Sequence, residues 1–202
     1  KSKLTPFGEL CVEINRENTT LLWELIHINL AYNSPLMGWF SSSVGFNTEI
    51  GRKDLDKLAL EYFQQTFKET TITYAVQALV QTFKYSPIGE DLRQFVSQDT
   101  KGTSFQRLPY NDLSPEAVAY SLYKYAEQKG IKMLRVSDLY RSEELCGVYR
   151  EFGISKGELQ KKLRFLSSEK NRVLVAELTM GLDHITLRDD LDQLVVLKSL
   201  LQ

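Results

Sequence analysis

Residues 155–188 read SKGELQKKLRFLSSEKNRVLVAELTMGLDHITLR. Ser155 followed three residues later by Glu158 has the spacing of a capping box, which predicts a helix over 155–168 with Leu159, Leu163 and Leu166 turned inward. Residues 172–178 and 184–188 then alternate apolar and polar side chains, and Thr179-Met180-Gly181 supplies the turn of a hairpin. Upstream, Ser137 and Asp138 can cap a helix running through Leu139, Leu145, Val148 and Tyr149 to Phe152, with Gly153 as the turn that follows. Helix, glycine turn, helix, hairpin is the order of a winged helix-turn-helix.

The outward positions of the second helix carry Lys156, Gln160, Lys161 and Arg164, with Lys162 to one side and Lys170 and Arg172 just beyond. From Lys156 to Arg172 there are six basic residues and two acidic ones. Clustered cations of this kind bind phosphates, so these seven residues are the expected contacts to double-stranded DNA. The expected hairpin opposes them with Asp183, and Asp189, Asp190 and Asp192 follow it. A run of lysines is also a common solvated helix face, and winged helices also serve as protein-docking modules.

Elsewhere the sequence is that of an ordinary globular chain: 202 residues, 43% hydrophobic and 25% charged, with a formal net charge of −1. That charge sets up no global field toward nucleic acid or an acidic membrane, so polyanion binding has to come from a local patch. Cys11 and Cys146 lack companions at metal-ligand spacing, and a reduced, cytoplasmic setting is expected. The apolar stretch Leu21 to Tyr32 is broken by Glu24, His27 and Asn29, so no membrane span is expected; nor is a secretory signal recognisable.

The chain is expected to be mainly α in two parts, a helical half over 1–112 and a winged-helix half with a small hairpin over 113–202. Lys3 and Leu4 read as the end of a strand that turns into a helix at Thr5-Pro6, as though an earlier part had been removed upstream. Asn18-Thr19-Thr20 caps a helix with Leu22, Leu25, Ile26 and Leu30 on its apolar stripe. A short segment, Leu36 to Phe46, carries Met37, Trp39, Phe40, Val44 and Phe46. Further helices are expected over 54–67, from Thr70-Thr71 to Ser86-Pro87, over 117–129 after Ser114-Pro115, and over 190–201. The irregular stretch 86–114, with Pro87, Gly89, Gly102 and Pro109, is the expected domain boundary.

No catalytic residues, metal ligands or cofactor are expected. His27 reads as a core or interface histidine and His184 as one facing solvent, and no phosphate-cradling glycine loop or nucleophile elbow is present. Tyr120, Tyr123 and Tyr125 on one helix, and Trp39, Phe40 and Phe46, have too few basic neighbours to favour base stacking over packing or a protein interface.

Leu4-Thr5-Pro6-Phe7-Gly8-Glu9-Leu10, Leu22-Trp23, His27 with Asn29-Leu30, Trp39-Phe40 and Phe46-Asn47 resemble the bacterial domain-of-unknown-function family 4007, as do residues 176–182 more faintly. The resemblance implies an accessory protein of a DNA sulfur-modification or antiphage system, found near sulfurtransferase-like partners, with a further helix-turn-helix upstream. The family has no established catalytic residues to carry over. Two roles are therefore expected: a non-enzymatic DNA-binding or DNA-targeting factor, or alternatively an adaptor that docks a partner protein through the wing and the aromatic segment 37–46.

Overall fold

Short-range capping sets out the first three helices. Thr5 Oγ accepts from the Gly8 amide and Pro6 takes the first helical position, starting α1 (Pro6–Glu17). Asn18 closes that helix and caps the next, α2 (Thr19–Asn33), by accepting from Leu21 N. Ser34 and Pro35 repeat the device for α3 (Pro35–Ser43). The structure, a computed structural model, describes residues 3–99, 103–141, 143–179 and 182–201. Gly102, in the irregular stretch, and Met180 and Gly181, in the expected hairpin turn, lie outside the described residues.

Helix α2 is the centre of the fold. Leu21, Leu25 and Ile28 are its most buried apolar side chains, and Glu24, His27 and Ala31 are buried as well. The predicted stripe of Leu22, Leu25, Ile26 and Leu30 is thus rotated, and Ile26 and Leu30 are only half-buried. The reason is that α2 packs against α1, α3 and the later helices on several sides, which leaves no single core-facing stripe.

The first half continues with β1 (Glu49–Gly51), α4 (Arg52–Phe63), α5 (Glu69–Tyr85), β2 (Val96–Ser97) and β3 (Ser104–Gln106). The three strands form an antiparallel sheet in the order β1-β3-β2, with Ile50 opposite Phe105 and Ser97 opposite Phe105 on the other side. Phe40, Phe83, Phe95 and Phe105 pile up beneath it at centroid distances of 4.8, 5.0 and 4.0 Å.

The second half runs α6 (Pro115–Lys129), β4 (Met133–Arg135), a 3-10 turn (Asp138–Tyr140), α7 (Val148–Phe152), α8 (Lys156–Leu166), β5 (Leu174–Glu177), β6 (His184–Leu187) and α9 (Gln193–Leu200). Its sheet is antiparallel in the order β4-β6-β5, with Leu134 and Ala176 both opposite Ile185. Helix α9 lies along α6, and α8 packs between α6 and β5.

The chain is mainly helical with two small antiparallel sheets. Several expected boundaries move. Residues 3–5 form no strand, because none of the described residues pairs with them. Helix α4 starts at Arg52, whose guanidinium bonds Asp56 one turn on, and ends at Phe63, short of Phe67. Helix α5 starts at Glu69 without a side-chain cap, so Thr70 and Thr71 lie inside its first turn. The single helix expected over 138–152 is broken into the 3-10 turn and α7, with Gly147 at a φ of 103° immediately before the latter. Strand β4 was not expected.

One buried apolar cluster runs through both halves. Polar bonds cross between them too: the Tyr110 amide donates to Phe152 O at 2.8 Å, and the Asn29 amide nitrogen donates to the Tyr120 hydroxyl at 2.7 Å.

No helix among the described residues is long and apolar enough to cross a membrane.

Candidate nucleic-acid interface

Helix α8 is fixed from beneath and at both ends. Leu159, Leu163 and Leu166 are fully buried, as the sequence pattern predicts. Ser155 Oγ accepts from Glu158 N at 3.3 Å, but only half of the capping box forms. The Ser155 amide instead donates to Asn111 Oδ1 at 2.8 Å, while the Glu158 carboxylate takes Lys161 Nζ at 2.6 Å. At the other end the Asn171 side-chain amide donates to Phe165 O, and the Val173 amide donates to Leu166 O, folding the following turn back onto the helix.

The seven expected contact residues divide by position. Lys156, Lys161 and Arg164 on α8 are exposed, and Gln160, one turn after Lys156, is half-buried. Lys162 is half-buried on the opposite flank. Lys170 and Arg172 are exposed in the turn after α8, at the far end of the helix from Lys156. That turn needs a left-handed residue, and Arg172 supplies it at a φ of 47°, its amide donating to Ser168 O. Sequence reasoning missed Arg188 at the end of β6. Its Nη1 donates to Arg172 O at 3.1 Å while Nε and Nη2 hold Asp190 at 2.9 and 2.5 Å. Asp183 accepts from the Ser137 amide at 2.9 Å, and hydrogen bonding from the Ser137 side chain and then its amide, with smaller help from the Lys156 and His184 charges, holds its carboxyl below the usual range.

The aromatic segment 37–46 is not an open docking face. Met37, Trp39, Phe40 and Val44 are buried. Phe46 is half-buried, with its ring 4.1 Å from the guanidinium carbon of Arg107.

Arg107 is itself the most unusual group in the chain: almost wholly buried, with no carboxylate bonded to it among the described residues. Its Nη1 donates to Val44 O at 2.7 Å and Ser41 O at 3.0 Å, and its Nη2 to Arg150 O at 2.8 Å and Gln94 Oε1 at 3.1 Å. The three backbone carbonyls lie at the C-terminal ends of α3 and α7, where helix dipoles concentrate negative partial charge. Burial, with the Arg150 charge nearby, pushes Arg107 down to about 9, which still leaves it protonated at neutral pH.

Beside it, His27 Nε2 meets Glu151 O at 3.0 Å, and burial pushes the imidazole down to about 4. The carboxyl of Glu151 accepts from Ser121 Oγ at 2.7 Å, and burial pushes it up to about 7. Glu24 holds both the amide and the hydroxyl of Ser114, the cap of α6, and burial pushes it up to about 7 too. No sequence pattern marks these groups, since their partners lie on distant segments.

No protein-family model matches the sequence, and no curated protein matches it. Solved structures with a similar fold include a magnesium-ion-bound SspB crystal structure, at a TM-score of 0.63 and 14% identity, and an SspB crystal structure, at 0.63 and 15%. Both comparisons cover 84% of this chain and 55% of the solved one, so the chain spans about half the length of the structures it matches. At this identity the likeness is one of fold.

Proposed function

We propose that the chain is a non-enzymatic DNA-binding or DNA-targeting accessory protein of a bacterial DNA-modification or antiphage system, working in the cytoplasm. Residues 113–202 act in it as a winged helix-turn-helix. The observation that carries the reading is α8: a helix with an apolar underside and a cationic outer face, followed directly by the β5–β6 hairpin. The order α6, β4, α7, α8, β5, β6 supports it, with α7 and α8 joined at a left-handed Gly153 and β6 lying between its two partner strands. The resemblance to family 4007 supports the cellular setting.

A binding role also suits the buried ionisable groups. Glu24, His27 and Arg107 direct their bonds at backbone and capping groups of the second half, and Glu151 at the buried Ser121 hydroxyl, away from solvent where a substrate would meet them. The adaptor alternative loses the aromatic segment 37–46 as a free surface and retains only the outer face of α8 and the hairpin.

Duplex binding by the intact chain, followed by fluorescence anisotropy over a salt series, tests the reading. Binding that weakens steeply with salt, and a shallower dependence in Lys161→Glu with Arg164→Glu, is the expected result. No binding at low salt overturns it in favour of the adaptor.

A further inference from the structure

The cations on this surface fall into two groups according to what the chain itself does with them. Lys161 is held by Glu158, and Arg188 by Asp190 through two bonds. Lys156, at the first position of α8, has no ion pair or side-chain hydrogen bond among the described residues. Arg164, Lys170 and Arg172 have no ion pair or side-chain hydrogen bond among the described residues, and all three are exposed. Arg164 is in the last turn of α8, and the other two are in the turn folded against that end. Lys161 lies one turn before Arg164, so its pairing with Glu158, not distance, is what sets the two apart.

Arg172 adds an independent observation. A left-handed backbone at a non-glycine residue costs about 1–2 kcal/mol, and glycine would remove that cost. The chain keeps a long cation where the backbone favours no side chain at all.

We propose that the phosphate backbone of duplex DNA is gripped at the C-terminal end of α8 by Arg164, Lys170 and Arg172. Glu158 neutralises Lys161 in the middle of the helix, which leaves that side chain, with Gln160, to read base edges. Non-specific affinity then comes from the unpaired cations, and the paired Lys161 contributes only where its hydrogen-bonding groups find matching bases. This division rests on the DNA-binding reading above.

The test compares variants of the intact chain on a random-sequence duplex over a salt series. Each unpaired cation should account for a slope of about 0.9 in log K against log salt, so Arg164→Gln with Lys170→Gln lowers it by about 1.8. Lys161→Gln leaves it unchanged within about 0.3, and Glu158→Gln, by freeing Lys161, steepens it by up to about 0.9. Arg172→Gly is the control against misfolding: it relieves the backbone, so the fold melts no lower than wild type while binding still weakens. A slope lost equally in Lys161→Gln and Arg164→Gln, or unchanged in Glu158→Gln, overturns the division while the DNA reading stands. Absence of binding by the wild type and every variant overturns both.

Discussion

The ring of Phe46 lies directly against the α-carbon of Gly153: a Cβ built there would sit 2.8 Å from the ring's Cδ1 and Cε1. Gly153 is the left-handed residue between α7 and α8, at a φ of 66°, and the same ring meets the Arg107 guanidinium, whose carbon is 4.1 Å from the ring centroid. The turn before α8 is thereby clamped to the first half of the molecule.

Gly153→Ala is therefore destabilised twice, by left-handed strain and by the clash with Phe46. Gly130→Ala makes the comparison, because Gly130 has a φ of 67° but nothing within 4 Å of its missing Cβ. In urea unfolding, Gly130→Ala should lose about 1 kcal/mol and Gly153→Ala a further ~1–3 kcal/mol from overpacking. Equal losses at the two sites would show that the Phe46 contact carries no weight.

Removing Arg107 strands carbonyl groups that no substitution can take away with it. A buried ion pair replaced by apolar residues loses both charges, but here the partners are the backbone ends of α3 and α7. Arg107→Met should lose on the order of 3 kcal/mol or more, each unsatisfied carbonyl costing about 1–3 kcal/mol. Arg107→Lys, with one nitrogen to span both helix ends, should recover less than half of that in the same unfolding experiment.

Buried carboxyls give stability an unusual dependence on pH. Glu24 and Glu151, raised from 4.5 to about 7 in the folded chain, hold protons that the unfolded chain has already released. Their contribution is full below pH 4.5 and is lost as pH rises to about 7, with a limiting slope of about 1.4 kcal/mol per pH unit for each proton. His27, lowered from 6.5 to about 4, acts in the opposite sense, destabilising the fold as pH falls through that window. The net expectation is a fold less stable at pH 7.5 than at pH 5.5. Glu24→Gln with Glu151→Gln should flatten that fall, and chemical unfolding at the two pH values reads it. A double variant with an unchanged pH dependence would refute the assignment.

The two thiols should react slowly. Cys146, whose Sγ donates to Gln128 Oε1 at 3.0 Å, is pushed up to about 11 by burial, and burial raises Cys11 as well. Thiolate is the reacting form, so labelling of the native chain at pH 8 should lag well behind labelling in denaturant. Equal rates in the two conditions would contradict this burial.

What the sequence makes legible here follows from the range of the interactions involved. Thr5, Asn18, Ser114 and Ser155 are recognisable as helix caps because a cap bonds an amide three residues away. The leucines under α8 are legible from their spacing alone. Strand β4 is not, since three residues are too few to show alternation and only β6 holds them as a strand. The positions of Phe46, Glu24 and Arg107 are hidden for a different reason. Their partners are Gly153, Ser114 and the carbonyls of residues 41, 44 and 150, and nothing local announces such pairings. On the candidate interface, the cluster of cations is visible in the sequence, but which of them are already engaged by Glu158 and Asp190 is not.

The order β4-β6-β5 has a consequence for how the chain is made. The middle strand is the last of the three to leave the ribosome, about fifty residues after β4, and α9, which covers α6, is later still. Until residues 184–200 emerge, α6, β4 and α8 have no sheet to close on and their apolar sides stay open. A stalled or prematurely ended chain that stops near residue 183 should therefore be sticky and short-lived, although it already contains every cation on α8.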